Sequence, residues 1–463
     1  MKYCQIDVQD VKNLTEKLST FTERYHEAFQ VQTHNVVQKA EQYLHGQLVS
    51  RTKGNLNDLV RAVPQANGQA LHHFVTNSPW DDEVVRAQLQ ADLNEVLGAE
   101  VEKWGILDES SFPKQGIRSV GVKRQYCGNL GKVENCQVGV YLGVATHGGW
   151  CSLADVRLYV PQEWCDDAGR RARAGIPDTV AFRTKAELGV EMLNGVRKHL
   201  PLAWVNGDGF YGEQPALLDT LEQEGVVYCF DIPCDTRIYL EQPKFQVPPR
   251  THAKGPTPTR IRATTECIRV DHLARHLPPT DYQRVEVRDS SRGPLVARFY
   301  ARRVWRQTGN AQEGQEVWLI IRRTMDEPKT RYQFCNADAQ VAFGRLVQMS
   351  YGRYWVERSL EDGKHAVGLG AYEVRGWRGW HHHQTLCLLA MVFLLQLKRE
   401  LGPKAPLLSM QDAKALLEVA LPCQQVTPEL VLQVLEDQHR ARDSAKQSHT
   451  KTRRKKLREQ ELM

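Results

Sequence analysis

Hydrophobic positions change their period along the chain, and the changes divide it. Residues 9–100 carry apolar side chains at helical spacing, in Val11 to Phe29 and again in Asn35 to Leu48. Ser78-Pro79 ahead of Trp80-Asp81-Asp82-Glu83 predicts a helix start with acids in its first turn. From about residue 104 the pattern becomes strand-like. Trp104-Gly105-Ile106-Leu107 is a short run closed by Asp108, and Cys136–Ala145 and Leu153–Val160 read as strands. Thr184–His199 reads as a helix, Leu202–Val205 as a strand ending near Asp208, Gln214–Glu224 as a helix and Val226–Ile232 as a strand. This succession predicts a mixed α/β layout around a sheet.

Between about 234 and 335 the chain turns rich in Pro, Arg and Thr, with β-like runs at Leu295–Tyr300 and Val317–Arg322. It reads as a separate β-rich insertion bounded by Pro233 and Asn336. Helical spacing returns from about 341 to 400, where the apolar run Leu386–Leu397 predicts a buried core helix. Ser409 and Thr427-Pro428 are expected to cap short helices at 410–420 and 428–440. There is no internal repeat.

Composition narrows the class. At 463 residues, with 41% hydrophobic and 25% charged residues, the chain has ordinary globular values and room for several cores. Eleven cysteines without a C-x-x-C pair argue against a disulfide framework or structural zinc and fit a reducing cytosol. The start is unlike a signal peptide, and no apolar run approaches the ~20 residues of a membrane span. The net charge of +6 is unevenly spread: Arg440 to Arg458 holds nine Lys or Arg against one Asp, so the rest of the chain is slightly acidic. The block from Lys451 through Arg453, Arg454, Lys455 and Lys456 to Arg458 is either a solvated end or a polyanion-binding arm.

The candidate chemistry is acidic. Arg353, Glu357 and Lys364 stand at i, i+4 and i+11, so a helix would place them within roughly 40° of one another on one face. That stripe suits either a surface ion pair or an acid holding a divalent metal between two phosphate-binding cations. Asp108 and Asp208 each close an apparent buried strand, where ligands gather in open α/β sheets and where a plain turn residue or helix cap is the alternative; the glycines around Asp208 permit close approach. Two strand aspartates and a helix glutamate form the hard oxygen set that Mg²⁺ or Mn²⁺ requires. Asp81, Asp82, Asp166, Asp167 and Asp362 lie at helix starts, in a loop or off the stripe. Walker, G-x-G-x-x-G and G-x-S-x-G patterns are absent.

R-x3-E-x6-K from Arg353 to Lys364 resembles the signature around the catalytic glutamate of DDE transposases of bacterial insertion sequences, usually Y-x2-R-x3-E-x6-K. Ser350 stands at the tyrosine position, with Tyr351 and Tyr354 nearby. Four stretches in order resemble the branch called insertion-sequence family 701: LHHFVTNSPWDDEVVRAQL (71–89), ILDESSFPKQGIRSVGVKRQYCGNLGKVENCQVGV (106–140), DGFYG (208–212) and VGLGAYEVRGWRGWHHHQTL (367–386). Where the family has D-D-T, this chain has Asp108-Glu109-Ser110.

The resemblance implies an α/β fold with an RNase H-like catalytic core, interrupted by a β-rich insertion between its second and third acids. It further implies a helical N-terminal domain and a helical, basic C-terminal tail. The expected divisions are 1–100 for DNA-end recognition, 101–233 and 341–402 for the core, 234–340 for the insertion and 403–463 for the tail. Asp108, Asp208 and Glu357 would be catalytic and hold Mg²⁺ or Mn²⁺, as two ions, and Arg353 and Lys364 would bind phosphate. Lys123 and Arg124 would line a DNA channel or form a strand's solvent face; Tyr211 would contact the backbone or pack. Trp305 and Trp318 are expected in the insertion's core, the alternative being to stack on an unpaired base near the cut, and His383 in a structural or phosphate contact. The implied partners are the element's terminal inverted repeats, target DNA and further copies of the chain, with no membrane. Alternatives are a metal-dependent nuclease without strand transfer and a non-catalytic DNA-binding derivative.

Overall fold

A computed structural model of the chain describes residues 4–50, 55–248, 259–290, 293–309, 313–324, 329–424 and 428–461. Its centre is one ten-stranded sheet: β1 Lys103–Pro113, β2 Lys123–Cys127, β3 Lys132–Thr146, β4 Cys151–Leu158, β5 Val205–Gly207, β6 Tyr228–Ile232, β7 Gln283–Ser290, β8 Gly293–Gln307, β9 Gly314–Thr324 and β10 Thr330–Cys335. The strand order is β7-β8-β9-β10-β6-β5-β1-β3-β2, with β4 also on β3. β1, β5 and β6 run parallel, β3 runs antiparallel to β1, and the strands from β6 out to β7 alternate in direction.

The parallel centre is buried on both faces, as its uninterrupted apolar runs require. One face carries α5, Lys185–Val196, where Gly189 lets the helix settle on Leu107. The other face carries α8, Tyr354–Ala366, whose Val356 lies against Gly143 beside Ile106, and α9, Trp377–Leu401. Around α9 pack the N-terminal helices α2 Val37–Val49, α3 Gly68–Thr76 and α4 Asp82–Leu97. The run Leu386–Leu395 is wholly buried, and each of its large apolar side chains stabilises the fold by roughly 1.5–3 kcal/mol.

Several elements depart from the sequence reading. The Val11–Phe29 stretch is interrupted: a short helix Val8–Lys12 ends at Asn13, α1 covers Leu14–Glu23, and a 3-10 turn follows at Glu27–Phe29. β1 runs past Asp108 to Pro113 because antiparallel pairing with β3 continues after the parallel pairing with β5 has stopped. The β-like segment is not a separate sheet, since β10 pairs with β6 and extends the central one. Ser409 caps α10, Met410–Ala420, through a reciprocal bond with Asp412. Thr427 lies outside the described residues. The last helix, α11, spans Pro428–Glu461 rather than ending near 440, and all its described side chains are exposed. Among the described residues no disulfide forms, and no helix is long and apolar enough to cross a membrane.

Candidate acidic site

Strand register creates the site. Leu107 pairs with Gly207, and Gly207 pairs with Phe230, so the next residues on three parallel strands are Asp108, Asp208 and Asp231. Residues in one row project to one face, here the face covered by α8. Asp108 stays in β1 opposite Tyr141, and its Oδ1 accepts from the Glu109 amide at 2.7 Å. β5 stops at Gly207, and Asp208 caps a single helical turn, Gly209–Gly212, by accepting from the Phe210 amide at 3.0 Å. A Cβ on Gly212 would lie 1.9 Å from the Asp231 carbonyl oxygen, which explains the second glycine of DGFYG. Only hydrogen fits between that turn and β6.

The junction of α7, Phe343–Tyr351, with α8 brings the basic and acidic stripe to this row. Gly352 lies against Asn206 so closely that a Cβ would meet its side-chain oxygen at 2.0 Å. Asn206 in turn donates to the carbonyls of Met349 and Cys229, each at 2.8 Å, tying the junction to β5 and β6. Arg353 follows and reaches three carboxylates: Nη2 to Glu357 at 2.6 Å, Nη1 to Asp108 Oδ2 at 3.4 Å and Nε to Asp231 Oδ2 at 3.5 Å. Lys364, one helix length away, donates to Asn129 Oδ1 at 3.0 Å. The Asn129 amide donates to the Ser111 carbonyl on β1 at 2.6 Å, so Lys364 is anchored beside the strand that bears Asp108.

The electrostatics are those of crowded, part-buried acids. Burial foremost pushes Asp108 up to about 6; Arg353 and the Glu109 amide oppose this, while Asp208 and Glu357 reinforce it. Asp208 is raised as well, first by burial, with Arg353 opposing and Asp231 adding to it. Glu357 is the open member, its side chain 55% exposed against 18% for Asp108. Among the described residues, no three His, Cys, Asp or Glu side chains converge tightly enough, as placed, to grip a metal ion. The cation lying among the carboxylates is instead the Arg353 guanidinium. The donors nonetheless suit a divalent metal: all are carboxylate oxygens, and their mutual repulsion is what such an ion relieves.

The remaining expected residues are dispersed. Tyr211 is fully buried against Phe210 and Phe230, and its hydroxyl lacks a hydrogen-bond partner, which favours packing of the two roles expected. Lys123 and Arg124 sit on β2, at the sheet edge, near Glu163 at 3.0 Å and Glu134 at 3.9 Å. Trp305 and Trp318 are half-buried, and Trp318 donates to the Asp338 carbonyl at 3.1 Å. His381, His382 and His383 are buried, and each is held by backbone: Trp377, the Val75 and Trp80 carbonyls, and Gly368 respectively. Burial drops all three to about 4, so they are neutral packing groups at neutral pH.

Asp231 escaped the sequence reading, although its signal resembles that of Asp108: an acid near the end of an apolar run, Val226–Ile232. Ser350, at the displaced tyrosine position, is buried at 1% exposure; its hydroxyl binds Gln333, and its carbonyl accepts from Arg322 at 2.8 Å.

A family model for the DDE superfamily endonucleases matches residues 25–294, more than half the chain, and this chain belongs to that family. The match includes Asp108, Asp208 and Asp231 and ends before Glu357. The chain is 32% identical over 228 residues to a protein of Microchaete diplosiphon named a probable transposase for insertion sequence element IS701. That alignment covers 45% of this chain and 54% of the relative, so the chain spans about half the length of the curated relative it matches. A cryo-EM structure of a piggyBac transposase synaptic complex with hairpin DNA aligns over 90% of this chain and 78% of its own, at 13% identity and a TM-score of 0.37, a likeness too low to bear on the fold.

Proposed function

We propose that the chain is a DNA transposase. In this reading it binds the terminal inverted repeats of an insertion sequence, cleaves at the element ends and joins the freed 3′-hydroxyl to target DNA. The observation that carries the reading is the row Asp108–Asp208 on adjacent parallel strands, with Glu357 and Arg353 brought over it by α8. The order β4-β3-β1-β5-β6, with β3 alone reversed, supports an RNase H-like core, and β7–β10 lie in sequence between Asp208 and Glu357 as an insertion would.

Asp108, Asp208 and Glu357 would hold Mg²⁺ or Mn²⁺, two ions in all, which supply Lewis-acid stabilisation of the attacking and leaving oxygens. The chain's own groups do the positioning. Arg353 offers a planar fork to a phosphate, and Lys364 offers a point charge at the far end of the same helix. Phosphoryl transfer asks for little more than this placement and neutralisation. Tyr211 supports the Asp208 turn from beneath. Lys123 and Arg124 extend the cationic border along the sheet edge, and residues 1–100 recognise the element end. The working form is a homodimer or larger assembly on DNA in the bacterial cytoplasm, at the nucleoid.

The test incubates purified protein with Mg²⁺ or Mn²⁺, a labelled element end and a supercoiled plasmid. Cleavage with joining is expected. Cleavage alone would make the protein a nuclease, and binding with neither would make it a non-catalytic derivative.

A further inference from the structure

Arg353 stands between two sets of carboxylates with different surroundings. Asp108 and Glu357 have few other partners: the Glu109 amide for Asp108, and open solvent around Glu357. Asp231 is held on every side. Its Oδ1 accepts from Gln333 Nε2 at 2.7 Å, and its Oδ2 lies 3.2 Å from Arg331 Nη1 and 3.5 Å from Arg353 Nε. Gln333 also donates to the Ser350 carbonyl at 3.0 Å, three residues before Arg353. Asp231 is therefore a fixed ledge in the sheet, whereas Glu357 is a solvent-exposed side chain tied, among the described residues, only to Arg353.

We propose that Asp231 is a positioning residue that retains Arg353 when Asp108 and Glu357 turn to a divalent cation. This inference rests on the metal-site reading given above. A guanidinium bridging the acids and a cation bound by the same acids exclude each other. An arginine released without an anchor would either stay and compete or swing into solvent, away from the phosphate it should meet. The bond from Nε to Asp231 offers a third course. The side chain pivots on Nε, surrenders its two Nη contacts to the cation, and leaves Nη1 and Nη2 free to fork onto a phosphate. The inserted strands β9 and β10 thereby act on chemistry that none of their own side chains touches.

Mn²⁺ binding, followed by electron paramagnetic resonance on the full chain without DNA, separates the possibilities. With its anchor gone, Arg353 competes harder for Asp108 and Glu357, so Asp231→Asn should weaken Mn²⁺ binding by about fivefold, the scale of coupling between contacting charges. Arg353→Gln should tighten it by a similar factor. The double variant should match Arg353→Gln, because Asp231 acts only through that arginine. If Asp231→Asn weakens binding equally in the Arg353→Gln background, Asp231 is a ligand or a purely structural group and the proposal fails. If Asp231→Asn leaves binding unchanged in the parent, it fails too. Asp208→Asn is the control: retained Mn²⁺ binding in that variant overturns the metal-site reading itself. Thermal melting checks that each variant is folded, and Asp231→Glu, which keeps the charge, should restore part of the affinity lost in Asp231→Asn.

Discussion

The two halves of the sheet do different work. The parallel half, β1, β5 and β6, is apolar and buried, and it places three aspartates in one row. The antiparallel half, β7 to β10, contributes no carboxylate to that row. It presents Arg322, Arg331 and Gln333 to Asp231 and Ser350. The first half supplies charge and the second supplies position. An insertion can therefore matter to an active site by holding it rather than by entering it.

The comparison breaks or holds on variants taken one from each half. Asp208→Asn should lower cleavage by well over the roughly 10–100-fold typical of residues behind a metal's ligands, with DNA binding retained. It should melt no lower than the parent, because it removes a buried like charge. Cleavage left within tenfold of the parent would take Asp208 out of the site.

Asp108 gives a pH signature in the metal-free protein. Its folded-state value, about 6, lies above the ordinary 3.8, so its stabilising effect is complete below about pH 4 and is lost as pH rises through 6. The loss is up to about 3 kcal/mol at 1.36 kcal/mol per unit, and Asp108→Asn should abolish it. Urea unfolding at pH 4.5 and 7 measures this, and an identical slope in both proteins would refute the crowding.

In the second half, Ser350→Tyr should cost about 1–3 kcal/mol by overpacking the closed Gln333–Arg322 network, read as a lower urea midpoint. A variant as stable as the parent would mean that the position tolerates the family's usual tyrosine. Gln333→Leu should cost about 1–2 kcal/mol and slow cleavage without abolishing it. Abolition as complete as in Asp208→Asn would erase the distinction between the halves. The smallest effect belongs to the sheet edge. Lys123→Ala with Arg124→Ala should leave the cleavage step intact and flatten the salt dependence of DNA binding, by a slope of up to about 2. An unchanged slope would return both residues to the solvent face.

Much of the scaffold was legible locally. Capping at Thr184 and Ser409 begins helices where the chain predicts them, the helix expected from Ser78-Pro79 begins three residues later behind Asp81, and each apolar run from Cys136 to Ile232 read as a strand lies in or overlaps one. The stripe of Arg353, Glu357 and Lys364 also lies along one helix, with Arg353 at its cap. The three histidines at 381–383 show the opposite case. For His383 the sequence left a structural or a phosphate contact open, and burial in α9 makes all three core.

The sequence by itself determined the order of most helices and strands, the resemblance to a family and two of the three acids of the row, Asp108 and Asp208, because periodicity and caps are set by neighbours a few residues apart. Only the tertiary structure decided that Asp231 completes the row, that Arg353 spans it and that Ser350 is locked. Those facts rest on strand register and on contacts such as Asp231 with Gln333, 102 residues apart, and no local pattern encodes which residue a distant strand will set opposite.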